Sequence, residues 1–93
     1  MRVEGPSMLP TLSPGRTVLM NPRAYPRTSA AVGDIVVCEH PQQPGLLMIK
    51  RIAEMDKTGI VVLGDNPDAS TDSRHFGRVP LRNLCGRVEC FFV

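Results

Sequence analysis

Glycine and proline interrupt this chain too often for long helices. The sequence contains eight glycines and nine prolines among 93 residues, and both residue types mark turns. The apolar runs between them are short, as at residues 17–20 and 60–63. Short strands separated by turns are typical of a small, mainly β structure. We therefore expect an antiparallel β-sheet or barrel-like fold with short helical turns, in a single domain spanning residues 1–93.

The turn-rich stretches divide the chain into strand candidates. Residues 54–59 are predicted to form a hairpin loop, and residues 80–84 one helical turn with Pro80 at its first position. Residues 21–32 lack a clear periodicity, which indicates an exposed loop. Strands are expected at residues 17–20, 34–38, 46–53, 59–63 and 84–93.

Charge and composition exclude several classes of protein. The net charge of +2 is too weak to indicate a nucleic-acid partner, and an aromatic content of 4% leaves little material for base stacking. No apolar run approaches the roughly 20 residues of a transmembrane helix. The N-terminal residues lack the apolar segment of a secretory signal. We expect a cytoplasmic protein, with membrane association if an upstream anchor has been removed.

The cysteines give no disulfide framework. Three of them, Cys38, Cys85 and Cys90, cannot all pair with one another. Reduced, partly buried thiols are the simplest interpretation. A metal site that also includes His40 is the alternative, because Cys38 and His40 would share a strand face. The chain has no Cys-x-x-Cys pair to support that site, so we expect neither a metal nor a cofactor.

Two residues stand in settings that suit catalysis. Ser7 follows Pro6 in a turn bounded by glycine and proline, which can hold a hydroxyl in one direction. An ordinary loop serine is the alternative.

Lys50 lies in an apolar strand candidate, where alternation places it on one face with Met48 and Ile52. Desolvation on such a face lowers the pKa of a lysine from about 10.4, whereas a lysine that reaches solvent at the strand edge keeps its charge.

The stretch from residue 64 to residue 77 is dense in Asp, Asn, Ser and Gly. It can form a solvated turn region. It can also form a hydrogen-bonded scaffold in which Ser70 reaches a catalytic group and Asp72 pairs with Arg74. Composition leaves both interpretations open.

Four segments stand in order along the chain, namely GPSMLPTL at residues 5–12, GDIVV at 33–37, KRI at 50–52 and the stretch from GDN at 64–66 to Val79. In order and approximate spacing they resemble the signature boxes of the type I signal peptidase family. The resemblance covers residues 3–88 and implies a serine peptidase that uses a Ser-Lys dyad on an antiparallel β-fold.

The resemblance assigns roles residue by residue. Ser7 matches the nucleophile, and Lys50 matches the general base that accepts its proton. Ser70 matches the hydroxyl that holds the lysine amine. Asp72 and Arg74 match a bracing ion pair in the last box.

Further positions match the surroundings of the site. Met8 matches the residue beside the nucleophile near the substrate cleft, while Asp65 and Asn66 fall in the structural part of the last box. Gly5 stands where many bacterial relatives carry a serine whose hydroxyl completes the oxyanion hole. The backbone N–H of Ser7 is one candidate donor for the oxyanion. The second donor is therefore open, and another backbone N–H could serve.

The resemblance also indicates a substrate. Residues 3–8 and 63–74 resemble the branch of nickel-type superoxide dismutase maturation proteases, which implies removal of an N-terminal propeptide from a protein such as the nickel superoxide dismutase precursor. One alternative is the catalytic core of a membrane-associated signal peptidase that cleaves exported pre-proteins. Others are a self-cleaving repressor fragment, a non-catalytic β-module, and a Ser-His-Asp site with His75 and Asp72.

Overall fold

The protein is built around one antiparallel β-sheet. The structure is a computed structural model that describes residues 1–22 and 30–92, and for residues 90–92 it describes the backbone alone. The strands in this part of the chain are β1 (Thr17–Asn21), β2 (Ile35–Glu39), β3 (Leu47–Asp56), β4 (Gly59–Leu63) and β5 (Leu84–Phe92). These five strands lie side by side in the order β1-β5-β2-β3-β4. The prediction of a mainly β, antiparallel fold is confirmed.

The hairpin between β3 and β4 is tighter than the sequence predicted. A loop was expected over residues 54–59, but β3 continues to Asp56 and pairs there with Gly59. The prediction was wrong because the polar residues Glu54 and Asp56 resemble a loop in sequence, whereas the strand passes through a register shift between Ile52 and Glu54 and continues to pair with β4. The Asp56 carboxylate closes the turn by accepting a hydrogen bond of 2.8 Å from the backbone N–H of Thr58.

Short helical turns connect the strands. The turn expected at residues 80–84 is a 3-10 turn at Leu81–Asn83, and Pro80 precedes it instead of opening it. Two further turns lie in the polar stretch, where composition left the structure open. They are a 3-10 turn at Pro67–Ala69 and the single helical turn α1 at Ser73–Phe76. Most of the loop predicted at residues 21–32 lies outside the described residues.

Both faces of the sheet carry apolar clusters, so the central strand β2 is buried on both sides. Its consecutive residues Val36 and Val37 point to opposite faces. One cluster contains Val3, Met8, Leu12, Val18, Val37, Ile49 and Val88, and the other contains Ala30, Val36, Cys38, Ile52, Ile60, Val62 and Val79.

Strand β3 continues this alternation. Ile49 packs into the first cluster, while Ile52 and Met48 pack into the second. Lys50 lies on the same face of β3 as Met48 and Ile52, as the sequence predicted. It therefore projects from the middle of an otherwise apolar surface.

We predict that Ile52→Ala lowers the free energy of unfolding by about 2–5 kcal/mol, since it opens a cavity in the second cluster. Ile52 is only 1% exposed, whereas Leu47 on the same strand is 47% exposed. Leu47→Ala is the matched control and should change stability by about 0.5 kcal/mol or less. Urea unfolding of both variants measures the difference, and equal losses would contradict this assignment of the core.

Candidate active site

Ser7 lies on a turn anchored in the core. Gly5 begins the bend with a φ of +71°, a left-handed conformation that glycine adopts without strain. The backbone N–H of Leu9 donates to the Pro6 carbonyl over 3.1 Å and closes the turn. Met8 is 1% exposed and packs into the first cluster. This burial fixes the loop, while Ser7 next to it is only half-buried.

A residue that follows β4 also holds the Ser7 loop in place through hydrogen bonds. The backbone N–H of Asn66 donates to the Ser7 carbonyl over 2.8 Å, and the Asn66 side-chain amide donates to the Pro6 carbonyl over 3.1 Å. Two chain segments that are distant in sequence thus share main-chain hydrogen bonds at the serine. This is the structural part that the resemblance implied for Asn66.

Asp65 makes a second connection to the same loop. It accepts two hydrogen bonds from the Arg51 guanidinium, at 2.9 Å from Nε and 2.8 Å from Nη2, and one from the Thr11 hydroxyl. These hydrogen bonds hold the pKa of the Asp65 carboxyl below its usual range, against the opposing effect of burial. Arg51 and Thr11 are residues whose role sequence reasoning missed.

Lys50 is buried and faces a hydroxyl. Its residue is 5% exposed, and its Nζ donates a hydrogen bond of 3.1 Å to Ser70 Oγ. Burial lowers the pKa of Lys50, because the ammonium loses its hydration. The negative charge of Asp72 opposes this shift and the positive charge of Arg74 adds to it, with a net lowering of the pKa.

Asp72 holds Ser70 in place. Its carboxylate is fully buried and accepts hydrogen bonds from Ser70 Oγ at 2.8 Å and from the Gly64 backbone N–H at 2.9 Å. An ionised carboxylate can only accept, so the Ser70 proton points to Asp72 and the oxygen's lone pairs face Lys50. The orientation of the lysine amine therefore depends on this carboxylate.

Arg74 keeps Asp72 ionised. Its guanidinium binds both carboxylate oxygens, with 2.9 Å between Nε and Oδ1. Burial by itself raises the pKa of Asp72, but the hydrogen bonds from Arg74, Gly64 and Ser70 outweigh it and place that pKa far below its usual range. The ion pair expected from the sequence is thus present, and Asp72 also caps the helical turn α1 through the Arg74 backbone N–H.

Gly64 allows these groups to approach one another. A Cβ atom at this position would collide with Ser70 Oγ and would lie 2.6 Å from the Ser7 carbonyl oxygen. The Ser7 main chain and the Ser70 hydroxyl therefore flank the same glycine. Only a residue without a side chain fits between them.

Ser7 and Lys50 line one cavity of about 440 Å³. Met8 also lines it, so this residue contributes both to the core and to the cavity wall, as the sequence suggested. Gly5 is not among the lining residues. Thr71 and His40 also line the cavity, and so do Leu47, Met48 and Ile49, which together with Lys50 are four consecutive residues of β3.

The alternative sites find less support. His75 contacts Asp72, but it is exposed and is not among the residues that line the cavity with Ser7. Among the described residues, no group of three or more His, Cys, Asp or Glu side chains could hold a metal ion. The Cys90 side chain lies outside the described residues.

The two described cysteines, Cys38 and Cys85, are free. Burial, with a smaller effect from Cys85, raises the pKa of the Cys38 thiol to about 12. Cys38 therefore stays protonated and unreactive near neutral pH.

Comparison with known proteins identifies the family. The model of the family described as signal peptidase, peptidase S26, matches residues 1–56 and 53–93. The chain belongs to this family of peptidases.

Within the described part, no helix has the length and apolar character needed to cross a bilayer.

Curated relatives carry names from one group of proteases. The mitochondrial ATP-independent inner membrane protease subunit 1a of Arabidopsis thaliana is 32% identical over 109 residues, covering 92% of this chain and 65% of its own length. Mitochondrial inner membrane protease subunit 1 is 30% identical in Xenopus tropicalis and 33% identical in Schizosaccharomyces pombe, each covering 90% of this chain. The match spans 62% of the length of the Xenopus tropicalis relative and 66% of the length of the Schizosaccharomyces pombe relative. The chain therefore spans less than two thirds of the length of each of the three relatives.

We predict that Arg74→Gln raises the pKa of Lys50, because it removes a nearby positive charge and leaves Asp72 less neutralised. The sequence contains only two lysines, Lys50 and Lys57, so lysine labelled with ¹³C at Cε gives two NMR signals, and Lys57→Arg assigns them. Arg82→Gln, an exposed change in the 3-10 turn, is the control and should leave the Lys50 titration in place. A Lys50 titration that moves to lower pH in Arg74→Gln would contradict the electrostatics described above.

Proposed function

We propose that this chain is a serine endopeptidase in which Ser7 is the nucleophile and Lys50 the general base. One observation carries the proposal. A buried lysine with a lowered pKa, oriented by a hydroxyl, lines the same cavity as a serine on an anchored turn. A neutral amine can accept a proton, whereas an exposed lysine is an ammonium near neutral pH and cannot.

The reaction begins with proton transfer. The lone pair of the neutral Lys50 Nζ accepts the proton of Ser7 Oγ, and Oγ attacks the carbonyl carbon of the scissile peptide bond. The backbone N–H of Ser7 is a donor for the oxyanion that forms. The protonated Lys50 then gives its proton to the leaving amine, and the C–N bond breaks. An ester between Ser7 and the acyl fragment remains.

Hydrolysis of the ester uses the same lysine. Lys50 accepts a proton from water as the water attacks the ester carbonyl, and it returns the proton to Ser7 Oγ as the ester bond breaks. The chemistry needs no histidine and no cofactor. Ser70 and Asp72 act as positioning residues, because they fix the direction of the amine through both steps.

The substrate is a protein segment in an extended conformation. Strand β4 pairs with β3 only from Arg51 onward, so among the described strands residues 47–50 are paired on one side only, with β2. Consecutive residues of a strand alternate between faces, and a cavity lined by all four of these residues lies along the strand edge. An extended peptide can add to such an edge as a further strand.

The biological substrate is an N-terminal leader or propeptide. Two candidates follow, namely the precursor of nickel superoxide dismutase, from the sequence resemblance, and a pre-protein processed at a membrane surface. The names of the relatives, which are inner membrane protease subunits, favour the second candidate. They also suggest a membrane-associated location and a partner subunit for this chain. Incubation with each precursor, followed by N-terminal mass determination, separates the two candidates.

We expect Ser7→Ala and Lys50→Met each to reduce peptide cleavage by at least about 10³-fold, since each removes a reacting group. Ser70→Ala should cost less, about 10²-fold, because it misplaces the amine without removing it. Initial rates on a fluorogenic leader peptide measure these losses.

The controls are Ser13→Ala and Lys57→Met, the same substitutions at positions outside the cavity. They should cleave at the rate of the unmodified protein. Full cleavage by Ser7→Ala or Lys50→Met would support a non-catalytic module, and cleavage of the chain itself during incubation would support the repressor-like alternative.

The proposed base also predicts the pH dependence of catalysis. Because only neutral Lys50 accepts the Ser7 proton, kcat/KM should rise with pH through the lowered pKa of Lys50 and then level off. The midpoint of this rise should coincide with the Lys50 titration seen by NMR, and Arg74→Gln should move both to higher pH. A rate that is constant from about pH 6 to 10 would rule out a lysine base with this pKa.

A further inference from the structure

His40 is a buried residue of the cavity that the proposed mechanism does not use. It follows β2, where its backbone N–H donates to the Leu46 carbonyl over 2.8 Å. The residue is 8% exposed, and its ring packs against Phe76 with 4.6 Å between the ring centroids. By alternation along the paired strands, His40 shares the face of the sheet that carries Met48 and Lys50.

One ring nitrogen of His40 is already occupied. The backbone N–H of Gln42 donates to His40 Nδ1 over 3.0 Å, so Nδ1 is an acceptor and carries no proton. In the neutral imidazole the proton then resides on Nε2. This hydrogen bond and the contact with Phe76 fix both the tautomer and the direction of the ring.

The other ring nitrogen is available to a ligand. Nε2 forms no hydrogen bond with any residue that the structure describes. Within the same residues, no buried side-chain nitrogen or oxygen lacks a hydrogen-bond partner, so Nε2 is not sealed inside the protein. His40 is among the residues that line the cavity shared by Ser7 and Lys50, so a ligand in that cavity lies beside this residue.

The position of His40 determines which part of a peptide it can reach. A peptide paired with the free edge of β3 lies two strand spacings from β2, about 9.6 Å. This distance excludes a hydrogen bond to the peptide main chain. Only a long side chain that crosses the sheet face over Met48 can arrive at His40. Along the strand, Leu46 is four residues from Lys50, or about 13 Å.

We propose that His40 is a specificity-determining residue whose Nε2–H donates a hydrogen bond to a Gln or Glu side chain of the substrate, about four residues from the scissile bond. The apolar walls formed by Leu46 and Met48 accommodate the methylene groups of that side chain, and His40 binds its terminal oxygen. Shorter acceptors such as Asp and Asn end before the ring. This inference rests on the proposed peptidase function and names a feature of its substrate.

Cleavage of matched peptides tests the preference. Each pair of fluorogenic peptides differs at one position, which carries Gln in one peptide and Met in the other. The varied position is moved in turn through positions three to five on either side of the scissile bond. The two side chains are similar in length, but only Gln has a hydrogen-bond acceptor of the kind proposed. At one position the unmodified protein should cleave the Gln peptide about fivefold faster in kcat/KM, which is the value of one neutral hydrogen bond.

The variant His40→Phe keeps an aromatic ring against Phe76 and removes the N–H, so the Gln-to-Met ratio should fall to about one. Thr71→Val removes a different polar group of the cavity and should keep the fivefold ratio. Equal cleavage of Gln and Met peptides by the unmodified protein at every position would overturn the proposal, and so would an unchanged ratio in His40→Phe.

NMR of the Ser7→Ala variant separates this inference from the proposed function. Its ¹⁵N-labelled His40 Nε2–H signal should shift on addition of the Gln peptide and should not shift with the Met peptide. A selective shift without cleavage of any peptide by the unmodified protein would retain His40 as a binding residue and reject the peptidase. Cleavage without that shift would retain the peptidase and reject His40.

Discussion

The buried carboxylate of Asp72 is the group on which the arrangement of the site depends. A charge taken out of water is costly unless hydrogen bonds compensate it. Here Arg74, the Gly64 N–H and the Ser70 hydroxyl supply them. Because the carboxylate accepts the Ser70 proton, the serine oxygen can accept from Lys50. A chain of defined donors and acceptors thus runs from an exposed arginine to a buried amine.

The lysine amine needs two opposing conditions, and the fold provides both. The apolar face of β3 removes water from Lys50 and lowers its pKa, while Asp72 keeps that lowering limited. Without burial the ammonium would keep its hydration, and this lowering of the Lys50 pKa would be lost. Without Asp72 the Ser70 hydroxyl would have no fixed orientation. The Arg74 charge reduces the influence of Asp72 on the lysine, so the three residues together set the protonation state of the amine.

The sequence predicted part of this arrangement for identifiable reasons. The strands were predicted from apolar runs between turn residues, and the face of β3 that carries Lys50 was predicted from strand alternation. The end of β3 was missed, because Glu54 and Asp56 lie on a hairpin whose polar residues resemble a loop. Arg51 was overlooked, since its partner Asp65 follows the next strand and no local pattern joins them. The packing role of Gly64 was not foreseen, and His40 was considered only as a metal ligand, because close packing is not visible in composition.

The sequence by itself determined the antiparallel β class and, through four ordered segments, the peptidase family. These properties depend on local patterns, which a linear chain carries within a few residues. The tertiary structure alone decided that Ser7 and Lys50 line one cavity, that β3 has a free edge beside them, and that His40 lines the same space. Each of these depends on segments far apart in the chain, which come together only when the sheet buries both of its faces.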